Sequence, residues 1–332
     1  MIKKIKVKSP ANIAFIKYWG QRDKKLTLPY NDSFSMNLSH CYTLIDLIIE
    51  EEASIQELYI KNYQDKDFTK STDESFLKVK NFLQTTEKFL NKKITFGFKI
   101  YSQNTFPKKA GIASSASFFS GLALAFSLAL NKKLSKKQLS ILARLSGSGS
   151  ACRSVPDGFC WWRSGDDSLS SYAFSIAPPS FWDLNDLVLI LSPQEKKVSS
   201  AHGHQNAETS PFFKFRLIDV DRRLKLIKKA FFKKDFTLFG QLIEEETLSM
   251  HFVMMTQKPP LYYWSGKTIE VLKKIIDLRK NGLEVYYTID AGENIHLICQ
   301  KKDRKKIYDY FIRQREVREI IINEPAIGVR AI

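Results

Sequence analysis

The stretch 101–119, YSQNTFPKKAGIASSASFF, constrains this chain more than any other. It extends an alternating pattern, with Ile94, Phe96, Phe98 and Ile100 on one face of a strand and Thr95, Gly97, Lys99 and Tyr101 on the other. The chain then passes Pro107 and Gly111 into five small residues, Ala113, Ser114, Ser115, Ala116 and Ser117. An apolar segment over 118–130 follows, long enough for a buried helix. A strand, a small-residue turn and a helix N-terminus, in that order, suit a phosphate group. Small side chains let the backbone come close to a ligand, and first-turn N–H groups have no partner inside the helix. Ser114 and Ser115 add hydroxyls for phosphate or magnesium. No Gly-Lys-Ser/Thr closes the loop, so it is not a P-loop. A packed strand-to-helix turn without a ligand carries the same pattern.

A chain of 332 residues, 44% of them hydrophobic, has material for two ordinary cores and favours two domains. Composition changes at Pro178-Pro179-Ser180, which places the division between 1–182 and 183–332. The apolar runs are too short to span a bilayer. Lys3, Lys4, Lys6, Lys8 and Pro10 break the first residues, against a secretory signal. Cys41, Cys152, Cys160 and Cys299 lack disulfide or metal spacing. They read as reduced thiols in a cytoplasmic protein. The net charge is +17, from 52 Lys+Arg against 35 Asp+Glu. That excess either covers solvated faces or attracts nucleic acid, anionic lipid or a polyanionic small substrate. The lysines are scattered pairs rather than one aromatic-laced block, which argues against a nucleic-acid surface or a membrane partner.

Residues 2–7 read as an edge-like strand with exposed lysines. Lys17 then stands inside an apolar stretch, 9–20. Burying an unpaired ammonium is costly, so Lys17 needs a carboxylate or a ligand, unless it snorkels to the surface. A second strand is expected at 43–52, a surface loop at 61–75 and a helix at 74–90. Ser135 and Gln138 form a capping box for a helix with Leu139, Leu142 and Ala143 on one face, ending at Gly147. Strands follow near 159–162 and 172–176. The second half reads strand 187–191, two or more helices, strand 283–289, strand 295–300, helix 303–313, strand 317–322. That is a split β-α-β-β-α-β order with an enlarged first crossover. Ser210-Pro211 reads as a helix start and Asn281-Gly282 as a helix stop.

Three polar spots carry further signal. Gly147, Ser148, Gly149 and Ser150 leave backbone and hydroxyl groups for an oxyanion, and Arg153 presents a planar fork to a carboxylate or phosphate. A flexible turn with a surface arginine fits equally. His202 and His204, at i and i+2 with no third ligand nearby, read as a solvated loop rather than a metal site. Asp290, at the tip of an apolar strand, is either a turn-former or a base at a site mouth.

Taken together, these motifs resemble the diphosphomevalonate decarboxylases. The segment Pro10-Ala11-Asn12-Ile13-Ala14-Phe15-Ile16-Lys17-Tyr18-Trp19-Gly20 looks like their N-terminal signature. So do Ala110 to Ser117, Gly147 to Ser154, Ser199-Ser200, Glu208-Thr209-Ser210-Pro211 and Asp290-Ala291-Gly292-x-Asn294, in the expected order. The family belongs to the superfamily of galactokinase, homoserine kinase, mevalonate kinase and phosphomevalonate kinase. The resemblance implies an α+β, two-domain fold: an ATP-binding domain like ribosomal S5 domain 2, a ferredoxin-like C-terminal domain, and the cleft between them. It implies ATP and Mg2+ as cofactors and a phosphorylated mevalonate derivative as small-molecule substrate. ATP phosphorylates a tertiary 3-hydroxyl, and phosphate and carbon dioxide then leave. Relatives are often homodimers.

By the family pattern, Asp290, Lys17 and Arg153 are catalytic. Asn12, Tyr18, Ser148, Gly149, Ser150 and Ser200 bind substrate. Pro107, Ala110, Gly111, Ile112, Ala113, Ser114 and Ser115 hold the nucleotide phosphates, with Ser115 also reaching the metal. The chain departs from the pattern where the substrate's 5-phosphoryl end should bind. The family's lysine after Trp-Gly is Gln21, followed by Arg22. The Gly-Met-Gln expected after Ser199-Ser200 is Ala201-His202-Gly203-His204-Gln205. Lys108-Lys109 stands where Thr and a small residue are usual. Three readings follow: the diphosphate enzyme with Arg22 or a histidine replacing the lysine, a sister decarboxylase of 5-phosphomevalonate or another 3-hydroxy-3-methyl acid, and a non-catalytic basic relative that binds nucleotide or nucleic acid.

Overall fold

A computed structural model describes residues 2–51, 54–72, 74–107, 112, 114–192 and 203–332. Two long antiparallel strands frame the first half, β1 (Ile2–Ile16) and β4 (Ser33–Glu50), paired from Ile2↔Glu50 to Ile16↔Phe34. The first strand does not stop at residue 7, and the second starts ten residues before 43. Pro10, which lacks a ladder N–H, lies within the strand. Here a register shift between Pro10 and Asn12 absorbs it, as bulges do for proline. Between β1 and β4 in the chain, β2 (Gln21–Asp23) and β3 (Leu28–Pro29) pair as a separate short ribbon, and β5 (Gln56–Lys61), β6 (Thr69–Ser71), β7 (Gly97–Asn104), β8 (Phe159–Trp162), β9 (Ala173–Ala177) and β14 (Arg330–Ala331) complete the large sheet. Its main path runs β14-β1-β4-β7-β5-β6, with β8 and β9 branching from β4. Only Val7 and Lys8 pair with β14, so most of β1 before them is an edge, as expected. The loop expected at 61–75 holds β6. The strand expected from Ile94 begins at Gly97, with Phe98 and Ile100 buried and Ile94 and Phe96 at the margin of the core.

Helix α1 (Glu74–Leu90) and helix α2 (Ser114–Ala129) cover one face of the sheet. The small residues of α2 let it settle close on the strands. Ser120 Oγ lies 2.6 Å from Ser9 Oγ on β1, and Ser117 Oγ lies 2.6 Å from Thr43 Oγ1 on β4. Helix α3 (Lys136–Arg144) opens on the expected capping box at Ser135 and Gln138. Gly147, at φ +84°, turns the chain beyond its end.

The second half builds a four-stranded sheet from β10 (Leu184–Ile190), β11 (Val285–Thr288), β12 (Ile295–Gln300) and β13 (Glu319–Asn323). The order β11-β12-β10-β13, every neighbour antiparallel, is that of a split β-α-β-β-α-β unit. Among the described residues, the enlarged first crossover holds the long helices α4 (Phe213–Lys233), α5 (Phe236–Thr256) and α6 (Gly266–Lys280). The second holds α7 (Arg304–Phe311). Asn281 and Gly282 end α6 as expected. Ser210-Pro211 does not start a helix. Ser210 Oγ accepts the N–H of Phe212 at 3.2 Å and bonds Thr256 Oγ1 at 2.7 Å, and α4 begins at Phe213.

One apolar cluster joins the two halves. Ile13, Phe15 and Phe34 of the first sheet pack with Val188 and Ile190 of β10 and with Phe231 and Phe239 of α4 and α5. The far ends of β1 and β11 therefore meet, and the candidate site lies where they do.

Candidate active site

Beyond Ile16 the chain leaves the sheet, and Lys17 is its first residue. The side chain is 3% exposed, so the ammonium does not snorkel. Nζ donates to the carbonyl of Ala14 at 2.9 Å and to Oδ1 of Asp290. Asp290 stands just past the end of β11, in a turn closed by Gly292 N–H donating to its carbonyl at 2.8 Å. Asn294 anchors the turn by accepting the N–H of Leu191 at 2.8 Å. Asp290 is thus the partner that the burial of Lys17 required.

The electrostatics of the pair are unequal. Burial works to raise the pKa of Asp290, but the charge and hydrogen bond of Lys17 outweigh it, helped by His296 and Arg153. The carboxyl is held below its ordinary value and is ionised at neutral pH. Burial also pulls Lys17 below the ordinary lysine value, and Asp290 and Glu246 oppose it only in part.

Arg153 lies in a short 3-10 turn, Gly149–Ser154, and is 3% exposed, not a surface arginine. Nε donates to Asn12 Oδ1 at 3.0 Å and Nη1 to Ser33 Oγ at 2.9 Å. Its guanidinium carbon lies 5.9 Å from the centre of the Tyr18 ring and 6.0 Å from that of Trp162. Among the described residues no protein acceptor takes its Nη2. Burial pushes the phenol of Tyr18 up to about 12, so it stays neutral.

Lys17, Asp290, Arg153, Tyr18, Ser150 and Ser148 line one cavity of about 340 Å³. Ser115, in the first turn of α2, lines it too, and its Oγ lies 2.9 Å from Ser148 Oγ. The first turn of α2 and the Gly147–Ser154 segment thus meet at the cavity. Pro107 is half-buried, Ile112 is buried, and Ser114 opens α2. Ala110, Gly111, Ala113 and Ser200 lie outside the described residues. Asn12 is 1% exposed and is not on the cavity wall. Its Oδ1 accepts from Arg153, and its Nδ2 donates to Ser154 Oγ at 2.8 Å and Ser150 O at 3.1 Å, so it holds the arginine in place. Gly149 likewise lies against the Tyr18 ring and off the wall.

Two wall residues were not expected at the site. Lys78, on α1, pairs with Glu74 at i−4 and lines the cavity. His204 does not sit in a solvated loop. It is 8% exposed, stacks on Tyr18 at 4.4 Å, and accepts the N–H of Gly20 at Nδ1. His202 lies outside the described residues. Arg22 is turned away: Nε donates to Pro29 O at 3.1 Å and Nη2 to Ser164 O at 3.4 Å.

This wall fits a nucleotide with magnesium. The start of α2, the hydroxyls of Ser115 and Ser148 and the ammonium of Lys78 make a cradle for anionic oxygens. Among the described residues no three His, Cys, Asp or Glu side chains gather as a metal site. Magnesium beside nucleotides needs none, because it takes phosphate and water oxygens with one or two protein ligands.

Residues 9–173 match the family model for the diphosphomevalonate decarboxylase-like N-terminal domain, and residues 186–324 match that for the mevalonate 5-diphosphate decarboxylase C-terminal domain. The chain belongs to the diphosphomevalonate decarboxylase family. It is 32% identical over 319 residues to the diphosphomevalonate decarboxylase of Debaryomyces hansenii, covering 91% of this chain and 82% of that one. The crystal structure of mevalonate diphosphate decarboxylase from Staphylococcus aureus superposes with a TM-score of 0.91 at 32% identity, over 100% of this chain and 98% of its own. A structure of MDDEF in complex with MVAPP, AMPPCP and magnesium superposes with a TM-score of 0.89 at 31% identity, over 100% and 99%. The α+β fold and the use of ATP and magnesium implied by the motifs are those of the diphosphomevalonate decarboxylase family. Among the described residues no helix is long and apolar enough to cross a membrane.

Proposed function

We propose that this chain uses ATP to phosphorylate the tertiary 3-hydroxyl of 5-diphosphomevalonate and then releases phosphate and carbon dioxide, giving isopentenyl diphosphate. One observation carries the reading: Lys17, Asp290 and Arg153, from three distant parts of the sequence, line one cavity together with Ser115 at the start of α2. A pure kinase would have no need of the buried guanidinium.

In this reading ionised Asp290 accepts or orients the proton of the 3-hydroxyl, a poor nucleophile that gains from a placed base. Lys17 keeps Asp290 ionised and offers positive charge as the γ-phosphoryl group moves. Arg153, fixed through Nε and Nη1, holds the substrate carboxylate. That keeps the bond to the departing carbon dioxide antiperiplanar to the departing phosphate, so the bonding pair becomes the alkene. Ser148, Ser150 and Ser200 hold further anionic oxygens, and Tyr18 offers a neutral phenol. Pro107 and the loop from Ala110 to Ser115 cradle the nucleotide phosphates, and Ser115 reaches the metal. Magnesium, when bound, offsets phosphate charge during transfer. The division into an N-terminal unit, 1–182, and a C-terminal unit, 183–332, belongs to the same reading, as does a homodimer, which sedimentation velocity checks.

The test is incubation with magnesium-ATP and each of mevalonate, 5-phosphomevalonate and 5-diphosphomevalonate, with ADP and carbon dioxide measured. Both products from the diphosphate are expected. Preference for the monophosphate would make this a sister decarboxylase, ADP alone a kinase, and neither product a binding protein.

A further inference from the structure

Lys17 and Asp290 end two strands that do not pair with each other, yet their side chains meet. Something must fix the two main chains relative to each other, and helix α5 touches both. On one side, the N–H of Lys17 donates to Oε1 of Glu246 at 3.2 Å. The carbonyl of Lys17 accepts from Nη2 of Arg216 on α4 at 3.1 Å, and the same Nη2 donates to Glu246 Oε1 at 2.6 Å. Glu246 Oε2 accepts from Nε of Arg223 at 2.9 Å. Glu246 is fully buried. On the other side, the N–H of Ile289 donates to Thr247 Oγ1 at 3.4 Å, and the carbonyl of Ile289 accepts from Nε2 of His251 at 3.3 Å. Thr288 Oγ1 completes the bridge by donating to Ala14 O at 3.3 Å.

We propose that Glu246, Thr247 and His251 are positioning residues, and that α5 sets the Lys17–Asp290 geometry by gripping the main chain at both strand ends. The proposal rests on the catalytic reading of that pair. None of the three need touch substrate. A hydrophobic residue at 246 would fill space but would leave the buried N–H of Lys17 without its acceptor and would take from Arg216 and Arg223 the carboxylate between them. Conversely, a buried ion cluster whose only purpose was stability is a poor device, because its desolvation cost offsets most of its attraction. Burial pulls Lys17 below the ordinary lysine value, and the Glu246 carboxylate, after Asp290, works against that pull and supports the ammonium. The charged or titratable groups facing Lys17 are Asp290 beyond β11, Glu246 and His251 on α5, Arg216 and Arg223 on α4, and Arg153. His251 is pushed down to about 3 by burial and stays neutral, so it does not titrate with activity.

The experiment compares Glu246→Gln, Thr247→Val and Thr247→Ser with Lys17→Met and Asp290→Asn, in steady-state assays across pH. Glu246→Gln should lower kcat at least 10-fold, leave KM for magnesium-ATP within 2-fold, and move the alkaline limb of kcat to lower pH. Thr247→Val should lower kcat several-fold, and Thr247→Ser should restore it. Should Glu246→Gln fail to fold, the Thr247 pair decides. An unchanged kcat and pH profile in Thr247→Val, or in folded Glu246→Gln, overturns the proposal. Retained turnover in Lys17→Met and Asp290→Asn would instead overturn the catalytic reading beneath it.

Discussion

A Cβ added to Gly149 would lie 2.6 Å from Oη of Tyr18 and 2.8 Å from Cη2 of Trp162. The glycine thus lets the turn carrying Arg153 close under the Tyr18 ring. Gly149→Ala should force the ring toward His204 and narrow the cavity. We expect a stability loss of about 1–3 kcal/mol, the usual range for overpacking, and a KM for the substrate acid raised roughly 10-fold. Thermal melts and initial rates check both.

Arg153→Lys keeps the charge but loses the fork. One ammonium cannot bond Asn12 and Ser33 and still face the cavity. Carbon dioxide release should fall about 100-fold, the scale of a misplaced reacting group. Quantifying both products in one assay would show whether ADP formation falls less.

Removing Lys17 should expose the opposing effect of burial on Asp290. In the native chain the carboxyl titrates below its ordinary value, so the acid limb of activity lies low. In Lys17→Met, only the weaker pulls of His296 and Arg153 oppose burial, and the acid limb of the residual kcat/KM should move to higher pH. In the native chain, the stability contributed by Asp290 is complete above its unfolded pKa, about 3.9. It is lost as pH falls through the lower folded value. Acid melts of native and Asp290→Asn protein check the sign.

Chelation of magnesium should stop ADP release without lowering Tm by more than a degree or so. The described residues gather no carboxylate, histidine and thiol cluster that a structural ion would need. Scanning calorimetry with and without a chelator decides.

Much of this site could be read from residue types and spacing. Lys17 advertised itself because a lysine in an apolar run must find an anion, and Asp290 because an acid ended an apolar strand. Helix α1 ran over the expected residues, 74–90, and β12 over 295–300. Asn12 stayed hidden as an orienting residue, because an amide on a wall and an amide behind it look alike in sequence. Glu246 and Arg216 stayed hidden for a related reason. A charge on a helix is normally solvated, and only the meeting of α4, α5 and the end of β1 puts these two out of water. His204 was misread because its loop position said nothing of the Tyr18 and Trp19 rings that enclose it.

Phe15 meets Phe239 edge-on at 4.9 Å, and Phe34 meets Phe231 at 5.0 Å, so aromatic rings from both halves interlock. Each half also has a buried cluster of its own, but neither can close this shared one without the other. Heating should therefore give one endotherm, with calorimetric and van't Hoff enthalpies equal, and a chain cut at the proline pair should yield no fragment that refolds by itself.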